Sequence, residues 1–157
     1  VVKIGHAQQL VNLRSGKLKR LTILEEELKS ADYSGMTDQA VTDSINSESI
    51  TIKISIETST IKKYLVLVDL WTPLKSSADS SAIFTMEVLE IFDTFDTNEQ
   101  VVEDKLTAML DALISVSLIN ESNKTAILSL GVKTISRAAE LGIGKARLGE
   151  VQSLRAV

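Results

Sequence analysis

One segment alone alternates apolar and polar residues with a period of two: Ser49-Ile50-Thr51-Ile52-Lys53-Ile54-Ser55-Ile56. Alternation of this kind, rich in β-branched side chains, is the pattern of a strand with one face buried and one face wet. A lone strand is an incomplete structure, because its backbone donors and acceptors stay open along both edges. It must pair with a less evident segment, in residues 1–16 or near Val132, or add to a partner's sheet. Ile50, Ile52, Ile54 and Ile56 are therefore candidate assembly contacts, in a small sheet or across an intermolecular β contact.

Elsewhere apolar residues recur every three or four positions, so the expected fold is mainly α, a compact multi-helix domain with this one clear strand. An arm or short first helix is expected to stop at Arg14-Ser15-Gly16. Leu18, Leu21, Ile23, Leu24 and Leu28 then share most of one helical face. Lys17, Lys19 and Arg20 precede Glu25, Glu26 and Glu27, the reverse of the order a helix macrodipole prefers, so packing or Lys-to-Glu neighbours must stabilise this helix. Thr37 is placed to cap a helix that buries Val41 and Ile45 and ends at Asn46. Thr58 to Thr60 supply caps for one carrying Ile61, Tyr64, Leu65, Val68 and Trp71, which Pro73 stops.

Asp79 or Ser80 opens a helix whose Ile83, Met86, Val88, Leu89, Ile91 and Phe92 form a wide inward face, closed by Phe95. Thr97 or Asn98 opens another, with Glu99 and Glu103 early and Val102, Leu106, Met109, Leu110, Leu113 and Ile114 inside. Shorter helices are expected from Asn120 or Ser122 to a terminating Gly131, from Thr134 or Ser136 to a terminating Gly142, and from Glu150 to Arg155. Residues 1–29 read as a basic N-terminal arm and first helix, and residues 30–157 as a single helical domain. With 44% hydrophobic but only 4% aromatic residues, Leu, Ile, Val and Ala must fill the interior.

The chain has no cysteine, which removes disulfides, thiolate metal sites and cysteine nucleophiles together. Its one histidine, His6, has no Asp or Glu before Glu25, so a catalytic triad would need wholly tertiary contacts, and a surface or packing role is simpler. Asp93, Asp96, Asn98 and Glu99 crowd oxygen ligands without the glycine and Glu spacing of an EF-hand, and helix capping explains them. Gly142-Ile143-Gly144-Lys145 lacks the leading strand and glycine spacing of a phosphate-binding loop. The helix pair around Ser34-Gly35 has helix-turn-helix spacing, but its second helix carries Asp38, Asp43 and Glu48 and no cation to meet DNA. No catalytic, metal or cofactor-binding residue is expected, and no enzymatic activity.

A net charge of −4 argues against general nucleic-acid binding. The charge is uneven, however. Lys3, Arg14, Lys17, Lys19 and Arg20 lie at the start and Lys133, Arg137, Lys145, Arg147 and Arg155 near the end, whereas residues 87–111 are strongly acidic. If the termini meet, one end is basic and the other acidic, an arrangement that would favour head-to-tail association of identical copies, although plain solvated helix faces are the simpler reading. Lys17, Lys19, Arg20, Arg147 and Arg155 are the candidate charged contacts. No stretch approaches the ~18 apolar residues of a membrane span. Val1-Val2-Lys3 leads into Gly5, His6, Gln8 and Gln9 rather than the apolar run of a secretory signal.

Tyr33-Ser34-Gly35-Met36-Thr37-Asp38 with Val41 and Asn46 is followed by the strand and by Tyr64 to Trp71. Then come Phe92-Asp93-Thr94-Phe95-Asp96, Met109-Leu110-Asp111-Ala112-Leu113, Ser136-Arg137-Ala138, Glu140-Leu141-Gly142, Val151 and Arg155. In this order the residues resemble small tailed-bacteriophage proteins encoded among virion structural genes, over about residues 30–157. The resemblance implies a virion head, connector or tail component, a homo-oligomer in contact with other virion proteins. For a regulatory or host-directed protein outside the particle it implies the host cytoplasm. It carries no catalytic residue or cofactor, and residues 1–29 are longer and more basic than it implies. DNA contact is expected only with packaged DNA, through Lys17, Lys19 and Arg20.

Overall fold

The computed structural model describes residues 3–30 and 33–157, with side chains from Arg14 onward. They are mainly helical, as expected: α1 Lys3–Ser30, α2 Asp38–Asn46, β1 Glu48–Lys53, β2 Ile56–Glu57, α3 Thr58–Leu67, α4 Trp71–Ser76, α5 Ser80–Ile91, β3 Thr94–Phe95, α6 Gln100–Ser115, α7 Glu121–Ser129, β4 Val132–Ser136, α8 Arg137–Glu140 and α9 Leu148–Arg155. The chain groups into two compact units, Val1–Ile50 with Thr134–Val157, and Thr51–Lys133. The division thus falls within β1 and β4, and not at residue 29.

β1 forms a two-stranded sheet with β4, so the alternating segment has its partner in the same chain, near Val132. Ile50, Ile52 and Ile54 are half-buried between exposed Ser49, Thr51, Lys53 and Ser55. The segment is not one continuous strand. The Ile54 amide donates to the Gly131 carbonyl at 2.9 Å, while the Ile54 carbonyl accepts the Thr97 hydroxyl at 2.7 Å. Beyond that break β2 changes partner, pairing antiparallel with β3 so that Ile56 faces Phe95 and Glu57 faces Thr94.

The unit of residues 1–50 and 134–157 is built on Leu24, Val41, Ile45, Ala138, Ile143, Ala146 and Val151. Thr37 caps α2 by accepting from the Ala40 amide, and Ser136 caps α8 by accepting from Ala139. Gly142, at φ 69°, ends that helix in the left-handed region a glycine adopts without strain. Asn46 then ties α2 to the loop before α9, since its side-chain amide both donates to and accepts from the Ala146 backbone at 2.8 Å. The first helix departs from expectation: α1 runs straight through Gly16. That glycine stays helical, and a single helical glycine costs only about 1 kcal/mol relative to Ala. Leu18, expected to face inward, is 67% exposed.

The unit of residues 51–133 packs α3 to α7 around Ile56, Ile61, Leu65, Leu74, Ala82, Leu89, Phe95, Leu106, Met109, Leu110, Leu113, Ile119 and Ile127. Asp79 caps α5 by accepting from Ser81 at 2.7 Å, and Asn120 and Asn123 form a reciprocal capping box at α7. α3 ends at Leu67, and Asp69 at φ 57° turns the chain into α4. Pro73 does not stop a helix at Trp71. It sits in the first turn of α4, where its missing N–H has no intrahelical partner to lose.

Gly131 stands just past α7, directly after its C-cap Leu130, as expected of a helix-ending glycine, but it has no positive φ. Its requirement is spatial. A Cβ there would lie 3.0 Å from the Ile56 side chain and 3.1 Å from the Thr97 methyl, both buried. Gly131→Ala is expected to lower stability by about 1–3 kcal/mol through overpacking, measured by urea titration. The same change at Gly149, where a Cβ meets nothing within 4 Å, should lose none by that route.

Candidate assembly surface

The inward face expected of α5 is only partly the one that packs. α5 buries Ala82, Thr85 and Leu89, whereas Ile83, Ile91 and Phe92, expected inside, are 48%, 73% and 52% exposed. Thr85 tolerates burial because its hydroxyl donates to the Ser81 carbonyl one turn back, at 2.8 Å, so no polar group is stranded. With Ala82 and Thr85 turned inward, the larger apolar side chains are left facing water.

Phe84, Val88 and Phe92 stand four residues apart and form one stripe along α5. Opposite them α6 presents Val101, 62% exposed, with Val102, Leu106 and Met109. Between the two lies an open cleft of about 470 Å³, closed at one end by Thr94, Phe95 and Asp96. Phe95 is buried beneath it, with its ring centroid 6.1 Å from that of Phe92 and the planes tilted by 40°. Contiguous exposed apolar surface of this kind marks interaction sites on folded proteins.

Two ionisable groups line this cleft, Asp96 and Lys105. The Asn98 side-chain and backbone amides donate to the Asp96 carboxylate at 2.9 and 3.0 Å and hold its pKa below the usual carboxylate range. Asp96 thus serves the turn before α6 and does not cap the helix, whose N-cap is Glu99 with no side-chain cap. Among the described residues no cluster of His, Asp or Glu is arranged to hold a metal ion, and no buried side-chain nitrogen or oxygen lacks a partner. The side chain of His6 lies outside the described residues.

The candidate contacts separate into two groups. Lys17, Lys19 and Arg147 are exposed. Arg20 and Arg155, expected to be available for assembly, are engaged within their own unit, because each guanidinium finds a carboxylate and backbone carbonyls at the right spacing. Arg20 donates to both oxygens of Glu150 at 2.5 and 2.9 Å and to the carbonyls of Ile143 and Lys145 at 2.7 and 2.6 Å. These contacts raise the Arg20 pKa and hold the Glu150 carboxyl below its usual range. Arg155 donates to Asp38 at 2.6 Å and to the carbonyls of Met36 and Tyr33. Ile56 is buried in the core, and Ile50, Ile52 and Ile54 belong to paired backbone, so the isoleucine row is not a fully open edge. The amides of Gly142 and Ile143 close α8 onto Ala139 and Ala138 rather than facing an anion.

Phe84 and Val101 were missed as site residues. A signal for them existed, since the apolar positions of α5 encircle the helix, which means that one face packs inward and another meets something else. No protein-family model, curated protein or solved structure matches the chain. Among the described residues, no helix is long and apolar enough to cross a membrane.

Proposed function

We propose that this protein is a non-enzymatic structural or accessory component of a tailed-phage virion, in its head, connector or tail, acting through protein–protein assembly. The observation that carries the assembly role is the exposed apolar cleft of Phe84, Val88, Phe92 and Val101. Water-exposed aromatic side chains in a groove gain free energy only when another surface covers them. The particle setting rests on the resemblance of residues 30–157 to small tailed-phage proteins. Quantitative mass spectrometry of purified particles tests the reading by the ratio of this protein to the major capsid protein. A fixed ratio supports a virion component and separates shell, ring and tail positions. Absence from clean particles overturns it in favour of a regulatory or host-directed binding protein.

A further inference from the structure

We infer that the projecting basic part of α1 in one copy docks in the α5–α6 cleft of a second copy, joining chains head to tail. This inference rests on the assembly role proposed above and names its first partner.

Two observations lead to it. Arg14, Ser15, Gly16, Lys17, Leu18 and Lys19 are all exposed, and six consecutive exposed residues span more than one full turn. None of them is buried, and Leu18 presents an apolar side chain that is 67% exposed. A surface helix normally hides one stripe of apolar residues against its own protein, and here Leu18 leaves that stripe in water. The cleft is a groove without an occupant, and an apolar groove between two helices is the usual seat for a third.

Charge selects the occupant. Residues 1–24 hold Lys3, Arg14, Lys17, Lys19 and Arg20 and not one acid. Residues 76–104 hold Asp79, Glu87, Glu90, Asp93, Asp96, Glu99, Glu103 and Asp104 and not one cation. The ion pairs of that unit join Lys53 to Glu103 and Lys124 to Asp111, which leaves Glu87, exposed on α5 next to Val88, in neither pair, whereas Glu90 and Asp93 line a neighbouring pocket with Lys62. Lys105 is the single cation in the cleft wall. Arg20 is committed to Glu150, which leaves Arg14, Lys17 and Lys19 as the cations that the exposed stretch of residues 14–19 offers. Such complementarity steers association and sets its orientation. Because arm and cleft are different surfaces, the contact is heterologous, and each copy keeps one unused half for the next.

The test uses the full chain in sedimentation velocity over a range of concentrations and salt. Wild type is expected to self-associate as concentration rises, and less so as salt screens the charges. An arm variant, K17E/K19E, and a cleft variant, V101E, alter exposed side chains and should keep the helical circular dichroism of wild type. Each alone should associate about tenfold or more weakly. Mixed in equal amounts they should form a 1:1 dimer and nothing larger, because only one intact arm and one intact cleft remain to meet. Association that survives in both variants, or a mixture that stays monomeric, overturns the inference. So does a wild-type chain that is monomeric throughout, including one whose arm lies in its own cleft. A monomer present at fixed ratio in particles would leave the virion role standing and give the cleft to a different virion protein.

Discussion

Replacing Leu24 by alanine is expected to destabilise the unit of residues 1–50 and 134–157 by about 3–4 kcal/mol, through lost burial and the cavity left behind. Leu24 is fully buried and belongs to a cluster of seven buried apolar residues among the described ones, so few fully buried neighbours are present to close the gap. Among the described residues it is also the one fully buried apolar side chain that α1 contributes to that cluster. The contrasting change is Leu18→Ala on the same helix, which should shift stability by no more than about 0.5 kcal/mol because Leu18 is largely in water. Urea titration supplies the energies, and hydrogen exchange locates the loss. Amides of α2 and α9 should lose protection in Leu24→Ala, while those of α6, which belong to the separate cluster of Leu106, Leu110 and Leu113, should keep theirs. Equal loss in α2 and α6 would show that the two clusters unfold together.

What the sequence disclosed depends on the range of the interaction. The caps Thr37, Asp79, Asn120 and Ser136 were legible because each accepts a hydrogen bond from an amide two or three residues ahead. That β1 needs a partner was legible because an alternating strand demands one, but the choice among residues 1–16, the segment near Val132 and another chain was not. The roles of Gly16 and Pro73 were misread, and that of Gly131 only half read, because each residue has two uses that look alike in one dimension. Gly131 is required by the Ile56 and Thr97 side chains, which lie 75 and 34 positions away in sequence. The orientation of α5 was half legible, because its apolar residues surround the helix and only the buried, self-satisfied Thr85 decides which side packs. The engagement of Arg20 with Glu150, 130 residues later, has no local signature at all.

The second large effect is at Glu27, which was read only as part of a charge run. Its side chain is 5% exposed, and the Arg137 guanidinium grips it with two hydrogen bonds of 2.9 and 2.7 Å, joined by the Tyr33 hydroxyl at 3.1 Å. Removing one partner of a fully buried pair costs roughly 3–5 kcal/mol, because the remaining charge is stranded. Arg137 is 39% exposed, so water reaches the site, and Arg137→Ala is expected to cost less, about 2–3 kcal/mol.

The hydrogen bonds from Arg137, aided by that from Tyr33, outweigh burial and hold the Glu27 carboxyl below its usual range. A carboxylate whose pKa is depressed by folding stabilises the fold fully above its unfolded pKa, about 4.3 for Glu, and this contribution disappears as pH falls through the lower folded value. Glu150, held down by Arg20, acts with the same sign. Wild type should therefore lose stability below about pH 5, in the window where unfolded glutamates take up protons. Glu27→Gln should be less stable than wild type at pH 7 and flatter in its pH dependence, so the gap between the two narrows toward pH 3. Urea midpoints at successive pH values check this, and a gap that stays constant with pH would mean that Glu27 contributes through shape rather than charge.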